Sequence, residues 1–255
     1  MHFVRTALLA LAILLASATP ALALDLELYD SLLAKHTQEV RDLARTRVDY
    51  PAIAKDPEWK RLIASLAASK PGSLRTKHEK LAFWINAYNI LAIDLVAKNY
   101  PLESIKDIGS IFSPVWKKPA GKLGGKAYSL DEIEHGIVRK LGDPRPHSAV
   151  ICASTSCPAL RREAFRAEKI DAQLDDAMRI WMVDTGKGLA IDRARNRVTL
   201  SKIFDWFEED FEKSGGALTF ATLYASEADR KWLEQNAARA SVSYFDYDWR
   251  VNALR

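Results

Sequence analysis

Thr76-Lys-His-Glu79-Lys-Leu81-Ala-Phe83-Trp84-Ile85-Asn86-Ala-Tyr88-Asn89-Ile90-Leu91-Ala-Ile-Asp-Leu95-Val96 is the stretch that decides how this chain folds. Thr76 and Glu79 have the spacing of a capping box, which opens a helix. From there to about residue 98, apolar side chains cover most of the circumference, and a helix of that kind belongs inside a core. Glu79, Asn86 and Asn89 stand at i, i+7 and i+10, so they share one side of it. Buried amides and carboxylates are costly unless paired, so each must have a specific partner or line a cleft. The asparagines either tie down neighbouring loops through backbone hydrogen bonds or orient groups in a binding site.

The elements around this helix follow from caps and periodicity. Leu28, Leu32, Val40 and Leu43 keep helical spacing within residues 26–46, with His36 as a boundary residue near that face. Asp56-Pro57 supplies an N-cap and a first-turn proline for a helix burying Trp59, Leu62, Ile63 and Leu66. Residues 100–128 form a long connection, with a hairpin expected near Trp116 and Tyr128; a loop of that length often binds something. Ser129 and Glu132 cap a helix through Arg139. Ser148–Cys152 reads as a short buried strand, and Pro158 as the start of a helix to about Phe165. Leu174, Ala177, Met178 and Trp181 mark a further helix. Leu189–Ile191 and Val198–Leu200 read as strands, Ser201 and Ser226 as caps, and Val242–Trp249 as a final strand. The expectation is a helix-dominated α+β single domain over residues 24–255, with a few short strands.

Residues 1–23 read as an export signal. Arg5 gives a positive start, Ala7 to Ala16 are apolar, and Ala21-Leu22-Ala23 offers small residues before Leu24. Ten apolar residues fall short of the ~20 that a membrane span needs, so no stable span is expected after processing. The expected location is therefore periplasmic or secreted. The formal net charge is +4, and removing the signal with its single arginine leaves +3. That is too mild to imply a nucleic-acid partner. The chain is 48% apolar with seven tryptophans, so a packed core is expected. No glycine-rich phosphate loop or repeat is visible, and nothing implies a cofactor.

Both cysteines lie in Arg145-Pro-His147-Ser-Ala-Val-Ile-Cys152-Ala-Ser-Thr-Ser-Cys157-Pro158. Cys152, ending an apolar strand, is expected to be buried and inert. Cys157, at the cap of a helix, is expected to be the better thiolate. His147 precedes Cys152 by five residues on that strand, so the two would face opposite ways. His135, beside Glu134, is a second candidate base. A Cys152–Cys157 disulfide is the competing reading in an oxidising compartment. The turn-prone Ala153–Ser156 would have to fold back to bring the α-carbons within about 4.4–6.8 Å. So short a loop would contribute about 2 kcal/mol. The absence of C-x-x-C argues against a redox couple, and the spacing lacks the C-x2-C or H-x3-H of a structural metal site.

The core-helix stretch Glu79–Asn89 resembles the signature of the family called domain of unknown function 547. So do Ser129-Leu-Asp-Glu-Ile-Glu134-His135-Gly, the cysteine segment with its Pro144-Arg145-Pro-His147 entry, and Tyr247-Asp248-Trp249…Asn252. The resemblance covers about residues 75–252 and implies no established activity. It implies a kept cysteine at Cys152 and a replaceable one at Cys157, against the local-physics ranking. By analogy of parts the chain is similar to papain- or transglutaminase-type thiol enzymes. The resulting expectation is a thiol-dependent hydrolase or acyltransferase. Cys152 or Cys157 is its nucleophile, His147 or His135 its base, and Glu79, Asn86, Asn89, Glu134 and Arg145 bind a small molecule or peptide. The alternative is a non-catalytic binding module with the cysteines clipped together. One shared cleft is expected, with the second half of 100–128 as its lid.

Overall fold

The structure, a computed structural model, describes residues 24–254, so the expected signal peptide lies outside the described residues. Helix α1 (Leu26–His36) starts where the Asp25 carboxylate accepts from the Leu28 amide. It stops well short of residue 46. The Thr37 hydroxyl donates back to the Leu33 carbonyl at 2.6 Å, and the chain turns into an antiparallel hairpin, β1 (Thr37–Glu39) with β2 (Thr46–Val48). β-Branched Thr37, Thr46 and Val48 favour that pleated geometry over further helix.

Asp56 ends α2 (Tyr50–Lys55) and caps α3 (Pro57–Ala68) through the Glu58 amide. Its carboxylate also receives His36 at 2.7 Å and Lys35 at 2.6 Å, which satisfies the boundary histidine. The Thr76–Glu79 capping box opens α4 (Lys77–Asn99), which runs through the middle of the larger core. This is the one described helix long and apolar enough to cross a membrane, and its apolar stretch is 83% buried within the protein.

The long connection ends in a hairpin, β3 (Pro119–Leu123) and β4 (Lys126–Ser129). Gly124 and Gly125 at its tip both have positive φ, +56° and +82°, as a two-residue type I′ turn requires. The Gly124 amide donates to the Ala67 carbonyl, and Gly121 lies directly against Leu91. The hairpin is therefore fastened to α3 and α4, so the expected lid is reduced to Trp116.

Helix α5 (Leu130–Ile133) passes into a π turn over Glu134–Val138 and a 3-10 turn over Arg139–Leu141. Helix α6 (Ile170–Met182) gives Ile170 and Leu174 to the larger core and Met178, Trp181 and Met182 to a smaller one, joining the two. The smaller core packs under β5 (Leu189–Asp192), β6 (Arg197–Leu200) and β7 (Ser241–Tyr244). Strand β6 is central, antiparallel to β5 and parallel to β7. Helices α7 (Lys202–Trp206), α8 (Glu208–Phe211), α9 (Ala217–Tyr224) and α10 (Glu227–Asn236) complete it. Small sheets among many helices make the chain α+β and helix-dominated, as its sequence pattern implies.

Candidate active site

The segment before the cysteines is not a strand. Arg145–Ser148 forms a 3-10 turn that carries on through Ala149, and residues 150–152 follow without regular structure or a strand partner. Asn89 supplies what a neighbouring strand would, donating to the Ala149 carbonyl at 2.9 Å and accepting from the Ile151 amide at 2.8 Å. Asn86 brackets the backbone of Phe165 in the same way. Residues 158–165 are irregular rather than helical, so no helix dipole reaches Cys157.

What shapes the thiol loop is the far end of the chain. The Thr155 amide donates to the Arg250 carbonyl at 2.8 Å, Asn252 donates to the Ala153 carbonyl at 3.1 Å, and Ser154 pairs with Val251. Under this clamp Ala153 takes φ +60° immediately after Cys152. A left-handed non-glycine residue costs about 1–2 kcal/mol, and strain of this kind clusters at functional sites. From inside the loop, the buried Lys187 ammonium donates to the carbonyls of Cys157 at 2.5 Å, Ala44 at 3.2 Å and Thr155 at 3.4 Å. Burial draws Lys187 down to about 8, against the pull of Cys157 and Asp184.

The two thiols have opposite characters. The sulfur of Cys152 lies 2.7 Å from that of Cys157, 3.0 Å from the Ser154 hydroxyl and 3.2 Å from the Tyr247 hydroxyl. Burial alone would raise its pKa, but hydrogen bonds from Cys157, Ser154 and Tyr247 more than offset that, bringing Cys152 to about 7. Cys157 is buried, accepts the Cys152 amide at 3.0 Å, and is pushed well up by burial and the adjacent sulfur. The electrostatics run against the expected ranking, lowering Cys152 and raising Cys157. Both cysteines are free, at a separation longer than the ~2.05 Å of a disulfide bond.

Cys152 and Cys157 open onto a cleft of about 310 Å³ that also takes in His147, His135, Glu134 and Tyr88. The expected opposition of His147 and Cys152 fails because the segment between them turns. His147 meets the Asp210 carboxylate at 2.7 Å, with its ring 4.4 Å from that of Phe207. A carboxylate only accepts, so Nε2 carries the proton and Nδ1 is left as the basic nitrogen. Hydrogen bonds from His147 and Arg139 outweigh burial and hold Asp210 well below the usual carboxylate range. The π turn presents adjacent Glu134 and His135 to the cleft, where the Glu134 carboxylate acts on the buried Tyr88 phenol. His135 Nδ1 faces the Arg139 guanidinium at 2.7 Å, and a guanidinium only donates. The basic nitrogen of His135 is therefore occupied.

Of the five expected binding residues only Glu134 lines the cleft; Asn86 and Asn89 are spent on backbone, and Glu79 and Arg145 lie elsewhere. Glu79 is half-buried and spent on the amides of Arg75 and Thr76. Arg145 is gripped by Asp143, Asp171 and Asp175. Asp210, Ser154, Tyr247 and Lys187 escaped sequence reasoning as site residues. Tyr247 stands within a quoted motif and could have been found there. Asp210, 63 positions from His147, carries no local signal. Among the described residues no group of three or more His, Cys, Asp or Glu is placed to hold a metal.

Residues 72–182 match the family model described as "Protein of unknown function, DUF547". The match takes in α4, the π turn and the thiol loop, but stops before Asp210 and Tyr247. No curated protein and no solved structure matches the chain.

Proposed function

We propose that this chain, whose residues 72–182 match the DUF547 family model, is a thiol-dependent hydrolase or acyltransferase with Cys152 as nucleophile. The observation that carries this reading is the set of donors around the Cys152 sulfur, in a cleft it shares with a histidine fixed by a carboxylate. A thiolate held by neutral donors needs no base to generate it at neutral pH. It attacks the acyl carbon while His147, an imidazolium in the reactive form, gives its Nδ1 proton to the leaving group and becomes the neutral Nε2–H tautomer. In the second half that nitrogen takes a proton from water or another acceptor, which releases the thioester. Asp210 keeps the tautomer that makes this possible. The likeness to papain- and transglutaminase-type enzymes rests on this set of parts. The reading includes export, on the strength of residues 1–23, and a small-molecule or peptide substrate.

Iodoacetamide at neutral pH should label one thiol rapidly, and peptide mapping should place it at Cys152. Cys152→Ser should abolish hydrolysis of an activated ester, and His147→Gln should lower it by about 10²-fold or more while leaving alkylation fast. Equal labelling of both thiols, or ester hydrolysis surviving in Cys152→Ser, would refute the proposal.

The proximity of the two free sulfurs, 2.7 Å apart and unbonded, motivates one further reading, in which oxidation joins them and the cleft only binds. Thiol titration of the unfolded protein separates the two. Two thiols support the enzyme, and none supports the clip.

A further inference from the structure

Besides the reacting groups, the cleft has a pronounced lining. One wall consists of Trp116, Trp206, Phe207, Tyr247 and Trp249. Four of these form a continuous aromatic surface: Trp206 stacks on Trp249 at 5.4 Å and meets Tyr247 at 4.7 Å, and Trp116 stands 6.2 Å from Trp249. Trp206 remains 43% exposed, a large side chain left open to solvent. The ionisable lining beyond the histidines and thiols is Asp131 and Glu134, and no lysine or arginine lines the cleft. Arg139, the nearest cation of the π-turn region, is already engaged by Asp210 and Glu209. The wall also has a built-in demonstration of what it attracts. The Lys106 ammonium, supplied by the long connection, stands 3.5 Å over the Trp249 ring.

Aromatic rings and carboxylates lining one cleft attract a positive charge through two independent effects, the ring quadrupole and Coulomb attraction in a partly dry site. An anionic ligand would meet two carboxylates and a thiolate, and the cations at the wall, Lys106 over Trp249 and Arg139 over Phe207, are already seated on rings. A neutral apolar ligand would gain from the rings but leave the carboxylates desolvated and unpaired. From the aromatic wall and the two carboxylates we infer that the acyl substrate carries an organic cation, of lysine side-chain type, beside the reacting carbonyl. This inference rests on Cys152 as nucleophile for the position of that carbonyl, while the cation site itself does not.

The test uses full-length protein carrying Cys152→Ala, which binds without turnover, and follows tryptophan fluorescence. Three probes are compared: the methylamides of N-acetyl-lysine, N-acetyl-norleucine and N-acetyl-glutamate. The lysine probe should bind about tenfold or more tightly than the norleucine probe at low salt, and the glutamate probe weakest. The advantage should shrink in Asp131→Asn and in Glu134→Gln. Trp249→Leu should weaken the lysine probe in a protein whose far-ultraviolet spectrum is unchanged. Equal or tighter binding of the norleucine or glutamate probe overturns the inference, as does failure of the lysine probe to bind. Since no chemistry occurs in this variant, such a failure leaves the thiolate labelling of Cys152 standing, and a failed labelling leaves this binding result standing.

Discussion

The side-chain amide of Asn89 and the backbone of Ile151 are joined as two strands would be, with the Ile151 amide donating to Asn89 Oδ1 at 2.8 Å in a buried setting. Asn89→Leu would leave that amide and the Ala149 carbonyl without partners. It should cost about 1–3 kcal/mol in urea unfolding and also slow alkylation of Cys152. Asn86→Leu, which frees Phe165 instead, should cost a similar amount with alkylation unchanged. Unfolding curves that do not move for either variant would contradict the burial of these amides.

Thiol reactivity should depend on pH in a specific way. Cys152 is brought to about 7 by its three donors despite burial, so its alkylation rate should rise through a midpoint near pH 7. Tyr247→Phe removes one donor and should move the midpoint upward, toward the ~8.5 of a free cysteine. Cys157→Ala should do the same. A pH–rate series with iodoacetamide, read by intact mass, checks both shifts.

Asp56 predicts an acid limb of stability. Hydrogen bonds from Lys35 and His36 hold its carboxyl well below the usual range. A carboxyl lowered in the folded state contributes stability fully present above its unfolded pKa, about 3.9, and lost as pH falls toward the folded value. Wild-type urea midpoints should therefore drop below about pH 4, and those of Asp56→Asn should drop less. At pH 7 Asp56→Ala should cost about 1 kcal/mol from the lost cap alone.

Gly188 is a steric prediction. A Cβ there would stand 1.7 Å from the Trp181 carbonyl oxygen, which belongs to rigid helix backbone. Gly188→Ala should destabilise the protein by about 3 kcal/mol or more, or prevent folding, because backbone must move to admit it. Thermal melts measure the loss, and a melting temperature close to wild type would show that the α6 terminus yields.

Elements written in local signals were legible. The capping boxes at Thr76 and Ser129, the Asp56 cap and the β5–β6 pair all stand where sequence puts them. The misreadings share one physical cause. Short apolar runs such as Ser148–Cys152 carry no partner information, so a segment held by Asn89 looks like a strand. Arg145 resembles a binding residue until Asp171 and Asp175, distant in sequence, surround it. The thiol ranking failed for the same reason. A helix start at Pro158 was a local inference, whereas the donors that set the acidity of Cys152 include Tyr247, 95 positions away.

The clamp on the thiol loop also bears on the order in which the molecule is made. Asn252 reaches Tyr50 at 2.6 Å across 202 positions, and its neighbours hold the backbone around Ala153. Closing loops of that span is slow compared with forming helices. A nascent chain that has already built α4 and its asparagine brackets still lacks Tyr247 and the residues that force Ala153 into its left-handed turn. Until the last strand-like segment docks, Cys152 is an ordinary weak acid, protonated and sluggish. On the proposed reading, the enhanced acidity of Cys152 thus arrives only with that docking, and a partly folded chain carries a less reactive thiol.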